Sequence, residues 1–162
     1  MQKLIKKSKK YWLMKSEADC YSIDDLKKDK TTSWGGVRNY QARNFMMRDM
    51  SVGDVVFFYH SGGIKDSPAG IYGLATVCKP AHPDETQFDK KNDHYDPKAT
   101  KEKPIWYCVD IKYAKKLKQP MTLAEIKFDP NLAGIMLAQT GSRLSIQPVS
   151  IKHGEYLINN LK

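Results

Sequence analysis

Between Ser33 and Phe45 the chain reads SWGGVRNYQARNF: an indole beside two bare glycines, then arginine, asparagine, tyrosine and glutamine in close order. These residue types suit a flat, polar, anionic ligand better than an apolar core. An open face of Trp34 would stack on a nucleobase, an interaction worth roughly 1–3 kcal/mol per base for any base. Gly35 and Gly36 would let a ligand or another backbone come close. Arg38 and Arg43 would hold phosphates beside the free N–H groups of a helix beginning near Val37. Asn39 would either cap that helix or read a base edge, because its amide both donates and accepts. The plainer alternative is a tryptophan packed under a loop, with arginines on a solvated helical face.

Further polar residues stand where strands are expected to end. Ser16 and Glu17 close "KSE", and Tyr59, His60 and Ser61 close the most apolar run of the chain. In "SRLSIQ", Arg143, Ser145 and Gln147 alternate and would share one strand face. His60 and Ser61 are adjacent on a strand, so they face opposite sides and make a poor nucleophile pair. No GxSxG elbow, no GK[ST] phosphate loop and no convincing carboxylate pair is present. Cys20, Cys78 and Cys108 form no CxxC pair, and His60, His82, His94 and His153 are scattered. Neither a metal nor a cofactor is therefore expected, and the cysteine usage points to a reducing compartment.

Lysine and arginine number 27 against 18 acids, a net charge of +9. Such an excess favours a polyanionic partner, DNA or RNA, without naming it. The start, MQKLIKKSKK, reads as a nucleic-acid arm or a nuclear signal and lacks the apolar stretch of a secretory leader. No apolar run approaches the roughly twenty residues of a membrane span. The 162 residues suit one domain, here 10–162 after a basic leader 1–9.

The elements that must position these residues mix strands with short helices. "KKYWLMKS" reads as a first strand, and Ser22 with Asp25 as the cap of a short helix ending near Asp29. "TTSWGG" is expected to be a loop, followed by a helix from Val37 to Met50. Val55–Tyr59 reads as a strand buried on both faces. The next strand, IYGLATVCKP, carries Gly73 as a bulge or close approach. Residues 80–103 are expected to form a long ordered loop pinned by Phe88 and Tyr95. "IWYCVDIKYAKKL" reads as a long strand that places Trp106 and Tyr107 on opposite faces. Thr122 and Glu125 have capping-box spacing, "RLSIQPVS" is a last strand stopped by Pro148, and Ser150 caps a C-terminal helix. No βαβ rhythm is present, so the expected class is α+β with a strongly curved mixed or antiparallel sheet, barrel-like, with helices at its mouths.

The blocks YWLMKSE, SWGGVRNYQARNF, VGDVVFFYHS, GIYGLATV, DHYDPKAT, WYCVDI and RLSIQPV, in this order, resemble the EVE domain family, nearest its thymocyte nuclear protein-like group. The resemblance runs from about Lys10 to Val149. It implies a PUA-like fold, a β-barrel with short surrounding helices, and a non-catalytic module that reads a modified nucleobase. Carried over by position, the base pocket would draw on Ser16, Glu17, Trp34, Val37, Arg38, Asn39, Tyr40, Tyr59, His60, Ser61, Leu144 and Ser145. Localisation would be cytoplasmic in a bacterium and nuclear in a eukaryote. The sequence departs from the family at Ala18, where KSEP is usual, in the glycine-rich stretch Gly62–Ala69, and at AQTG (138–141). Two other readings compete: an enzyme on RNA or a modified nucleotide with His60 as general base, and a protein-interaction domain whose charge is incidental.

Overall fold

The computed structural model describes residues 10–62, 67–141 and 143–162; the basic leader and the centre of the Gly62–Ala69 stretch lie outside them. One six-stranded sheet runs in the order β2-β5-β4-β3-β1-β6, with β1 Tyr11–Glu17, β2 Thr31–Ser33, β3 Val55–Ser61, β4 Gly70–Pro83, β5 Tyr107–Thr122 and β6 Ile146–Val149. β1 and β3 are parallel and the other pairs antiparallel. The class is therefore α+β with a mixed sheet. Closure into a barrel is not seen in the hydrogen bonding: among the described residues no ladder joins β2 to β6, which are the two edges.

Strand alternation sends side chains to two cores, one on each face. Tyr11, Leu13, Val55, Phe57 and Tyr59 join Ile126, Leu157 and Ile158 on one side. Trp12, Met14, Val56, Phe58 and Ala75 join Ile23, Leu26, Ala42 and Met46 on the other. Phe57 and Phe58 are wholly buried, each contributing roughly 1.5–3 kcal/mol of transfer free energy. The expectation of a strand buried on both faces thus holds for β3.

The helices start where the sequence puts a cap. Ser22 and Asp25 form a full capping box on α1, Ile23–Asp29. Asn39 Oδ1 accepts Ala42 N–H at 3.0 Å, so α2 is Tyr40–Asn44 and starts later than Val37. It continues without a break as a π-helical turn, Phe45–Asp49, capped by Met50, so its far end lies where expected. Thr122 and Glu125 box α3, Leu123–Phe128, and Ser150 caps α4, Ile151–Asn160.

Other expectations need correction. Thr31–Ser33 is a strand on β5, not loop. Pro148 lies inside β6 opposite Trp12 and does not end it; an edge strand tolerates the missing donor. β4 continues through residues 80–83, read as loop. Beyond it the chain is pinned by Gln87, whose side chain donates to Asp84 and Trp106 carbonyls and accepts from Ile105 and Trp106 N–H, all at 2.8–2.9 Å. Phe88 and Tyr95, the expected pins, are only half-buried. Gly73 meets both readings: ladder shifts flank it, and a Cβ there would stand 2.5 Å from Ile23 Cγ1.

Candidate nucleic-acid interface

Two parallel strands need a long crossover between them. Residues 18–54 supply it between β1 and β3, and the Trp34 loop is carried on it. At the exit of β1, Cys20 and Tyr21 N–H both donate to the Glu17 carbonyl, which turns the chain. β2 then ends at Ser33, and Trp34 N–H donates to the Val109 carbonyl on β5 at 2.8 Å. Between these two turns lies a cleft of about 290 Å3 lined by Ser16, Cys20, Tyr21, Thr32, Ser33, Trp34 and Gly35.

Trp34 is 8% exposed. Its ring is edge-on to Phe58 (centroids 5.5 Å, 88°) and to Tyr21 (6.4 Å, 84°). Burial, with the Asp29 carboxylate that accepts its hydroxyl at 2.9 Å, pushes the Tyr21 phenol up to about 12 against a hydrogen bond with Thr32, so it stays a donor. Ser33 Oγ donates to Asp110 at 2.6 Å. The exposed Cys20 Sγ lies 3.6 Å from Glu17 Oε2. Its thiol is raised by desolvation and by the Asp19 and Glu17 carboxylates, which keeps it protonated and unreactive. Ligand atoms of Glu17, Asp19 and Cys20 lie within 4.8 Å of one another; all three residues are exposed, and such acidic groups are common without an ion.

Of the predicted residues, Ser16 and Trp34 line this cleft, and several others surround its β1 wall. Glu17 follows Ser16, Ser61 Oγ donates to the Ser16 carbonyl at 3.4 Å, and Lys15 N–H donates to the Ser145 carbonyl at 2.8 Å. Leu144 is half-buried next to Ser145 and its carbonyl accepts from the Gln147 side chain. Arg143 is exposed and Gln147 buried, and both Arg143 and Ser145 precede β6, so the expected shared polar strand face does not form.

The rest point elsewhere. Tyr59 belongs to the core on the opposite face from Trp34. His60 is 6% exposed, stacked on Tyr72 at 4.2 Å, and its Nε2 accepts Ile23 N–H at 3.1 Å. Burial lowers its pKa and keeps it neutral; as a general base it would have to give up that bond. It lines a separate cleft with Ser22, Asp24, Tyr72 and Lys116.

The run Val37–Arg43 is tied into an internal network. Asp84 is 2% exposed, and its carboxylate accepts from Gly36 N–H (2.8 Å), Arg38 Nη1 (3.0 Å), Thr86 N–H (3.0 Å) and Thr86 Oγ (2.7 Å). Burial would raise its pKa, but these donors outweigh it and hold the carboxyl below its ordinary range. Arg38 also donates to the His94 carbonyl at 2.6 Å. Arg43 donates to the Ile105 carbonyl and to Asn44. Tyr40 is 59% exposed and stacks on Trp106 at 4.9 Å, with the Arg43 guanidinium 4.7 Å from its ring centre. Val37 packs half-buried against the core, and Asn39 is spent as a cap. The two glycines make room for the protein itself: a Cβ on Gly35 would lie 3.0 Å from Asp84, and one on Gly36 2.9 Å from the His94 ring.

The residues missed were Cys20, Tyr21 and Thr32 on the cleft and Asp84 beneath the loop. The strand-like triplet TTS was the one local signal for Thr32; Cys20 and Tyr21 meet the cleft through the crossover, and Asp84 reaches the loop from the end of β4.

Residues 10–160 match the family model of the EVE domain. The chain belongs to the EVE domain family. It is 39% identical over 173 residues to human thymocyte nuclear protein 1, covering 96% of this chain and 75% of the relative. Among solved structures, a hypothetical protein from Leishmania major superposes with TM-score 0.84 at 48% identity, covering 93% of this chain and 92% of that one. Human THYN1 protein in complex with 5-methylcytosine-containing DNA superposes with TM-score 0.82 at 40% identity, covering 93% and 96%. No helix of the described residues is long and apolar enough to cross a membrane.

Proposed function

We propose that this EVE domain, spanning 10–162, is a DNA-binding module that reads one modified nucleobase in the cleft beside Trp34. The observation that carries the reading is that cleft, about 290 Å3 with an aromatic wall and hydroxyls around it. Ser16 and Trp34 touch the base, with Glu17, Ser61 and Ser145 at the rim. The human relative's complex with 5-methylcytosine-containing DNA supports a methylated pyrimidine as ligand. In duplex DNA the base must be flipped out, at a cost of a few kcal/mol. Contacts to one base offset this only in part, so phosphate contacts supply the rest and affinity falls with salt. Arg38 and Arg43 are committed internally; the exposed lysines around α1, Lys27, Lys28 and Lys30, are better placed to meet phosphates. The proposal includes a PUA-like, strongly curved sheet. It places the protein in the nucleus of a eukaryotic cell, in keeping with the relatives' name, and in the cytoplasm of a bacterial one.

Fluorescence anisotropy with matched duplexes, one carrying a single 5-methylcytosine, tests it. The methylated duplex is expected to bind tighter, and Trp34→Ala to lose roughly 1–2 kcal/mol of affinity while still folded. Equal binding of both duplexes would overturn the reading.

A further inference from the structure

The three tryptophans are treated differently by the fold. Trp12 donates its indole N–H to Asp54 at 2.9 Å, and Trp106 donates to Asp96 at 2.8 Å. The Trp34 indole N–H has no acceptor among the described residues, although the residue is more than nine-tenths buried. Its nitrogen is not sealed off either: it is not among the side-chain atoms buried without a partner, of which Asp54 Oδ1 is one. Among the described residues nothing closes the atom off from solvent, and the opening that Trp34 lines is the cleft. At the same time Phe58 and Tyr21 pack edge-on with the ring, and little of either indole face is left open.

We infer that Trp34 serves the cleft as a hydrogen-bond donor, its indole N–H reading an acceptor atom on the edge of the bound base, and not as a stacking wall. The inference rests on the cleft being the base site. An indole N–H can only donate. A ligand that expels water from the cleft must therefore present a carbonyl oxygen or an unprotonated ring nitrogen, or leave a donor unpaired. Of the surrounding hydroxyls, those of Tyr21 and Ser33 give their protons to Asp29 and Asp110, so neither supplies a donor to the cleft. Ser16 Oγ makes only a long contact, 3.4 Å to the Glu17 carbonyl, and can turn to donate or accept; Thr32 Oγ lies 3.5 Å from the Ser33 carbonyl and shares a hydrogen bond with Tyr21. Trp34 is thus the fixed-sense donor, and in that way the specificity-determining group, of the site. It would accept a cytosine-type edge, whose N3 and O2 both accept, and would oppose the N3–H of a thymine or uracil presented the same way.

The test compares wild type, Trp34→Phe and Trp34→Ala, each checked for folding by thermal melting, in titrations of a duplex with one 5-methylcytosine. Trp34→Phe keeps an aromatic ring but removes the donor. It is expected to lose roughly five- to tenfold in affinity, with Trp34→Ala only slightly worse. If Trp34→Phe binds like wild type while Trp34→Ala does not, the donor role is overturned and the cleft survives. If both bind like wild type, the base-site reading falls as well. Should the variants fail to fold, the ¹⁵N spectrum of the wild-type protein decides. On saturation with the same duplex the Trp34 indole N–H signal is expected to move downfield while those of Trp12 and Trp106 stay. An unmoved Trp34 signal with shifted Ser16, Tyr21 and Ser33 amides overturns the inference alone; unmoved signals throughout the cleft overturn it together with the site.

Discussion

The Asp84 carboxylate accepts the Gly36 N–H at 2.8 Å across 48 residues of sequence, and in doing so fixes the loop that carries Trp34. Arg38 and Thr86 donate to the same buried carboxylate. Removing it leaves Gly36 and Arg38 without their acceptor in a partly buried setting. Asp84→Ala is expected to cost about 2–4 kcal/mol in urea unfolding, by loss of a largely buried, hydrogen-bonded ion pair. Because its folded pKa lies below the unfolded value, its stabilisation is complete above the ordinary carboxylate range and is lost as pH falls through the folded pKa. Acid unfolding of Asp84→Asn should therefore be flatter with pH than that of the parent; an unchanged profile would contradict the role given to this carboxylate.

Gly36 has φ +83° and sits under the His94 ring. A Cβ there meets two separate obstacles, the left-handed backbone and the imidazole. Gly36→Ala is expected to destabilise by about 1–2 kcal/mol. In a His94→Ala background the steric part should vanish and the backbone part remain. Comparing melting temperatures of the single and double variants separates them, and full additivity would mean that the ring is not the obstacle.

What could be read from the chain was what is encoded locally. Ser22 with Asp25, Thr122 with Glu125, and Ser150 each place a helix start within four residues, and all three starts are where the spacing puts them. The apolar run of β3 needs no partner to be recognised. Thr31–Ser33 was not recognisable, because its only reason to be extended is a ladder to residues 110–112. Arg38 and Arg43 look like phosphate ligands in the sequence because charge is visible there and the acceptor is not. Asp84, Asn44 and the carbonyls of His94 and Ile105 answer that charge from within the fold. Trp34 was legible as an oddity, whereas the neighbours that shape its cleft, Tyr21 and Thr32, were not, since the crossover that gathers them is a property of the topology.

His60 offers a second pH test with a different residue type. Its Nε2 must be unprotonated to accept Ile23 N–H, and burial lowers its pKa below 6.5. Asp24 and Asp25 act against that shift, while Lys116 adds to it. The unfolded chain therefore binds the proton first, so stability falls as pH drops below about 6.5 and levels off beneath the folded pKa. His60→Gln, whose amide oxygen can take over the acceptor role, should remove this dependence below about 6.5. Guanidinium unfolding at several pH values checks it; a variant as pH-sensitive as the parent there would show that His60 is not the titrating group.

The same internal accounting decides which cations should govern salt dependence. Each phosphate neutralised adds about 0.9 to the slope of log affinity against log salt. Arg38 is held by Asp84, Thr86 and the His94 carbonyl, so Arg38→Ala should lower the melting temperature and leave the slope of DNA binding unchanged. Lys27, Lys28 and Lys30 are exposed around α1, whose last residue, Asp29, holds the Tyr21 hydroxyl at the cleft. Replacing all three by glutamine should reduce the slope by about 2 to 3 while barely changing the fold. Anisotropy titrations between low and moderate salt measure both variants. A slope that drops for Arg38→Ala and not for the lysine variant would return the phosphates to the helix after Trp34 and remove them from α1.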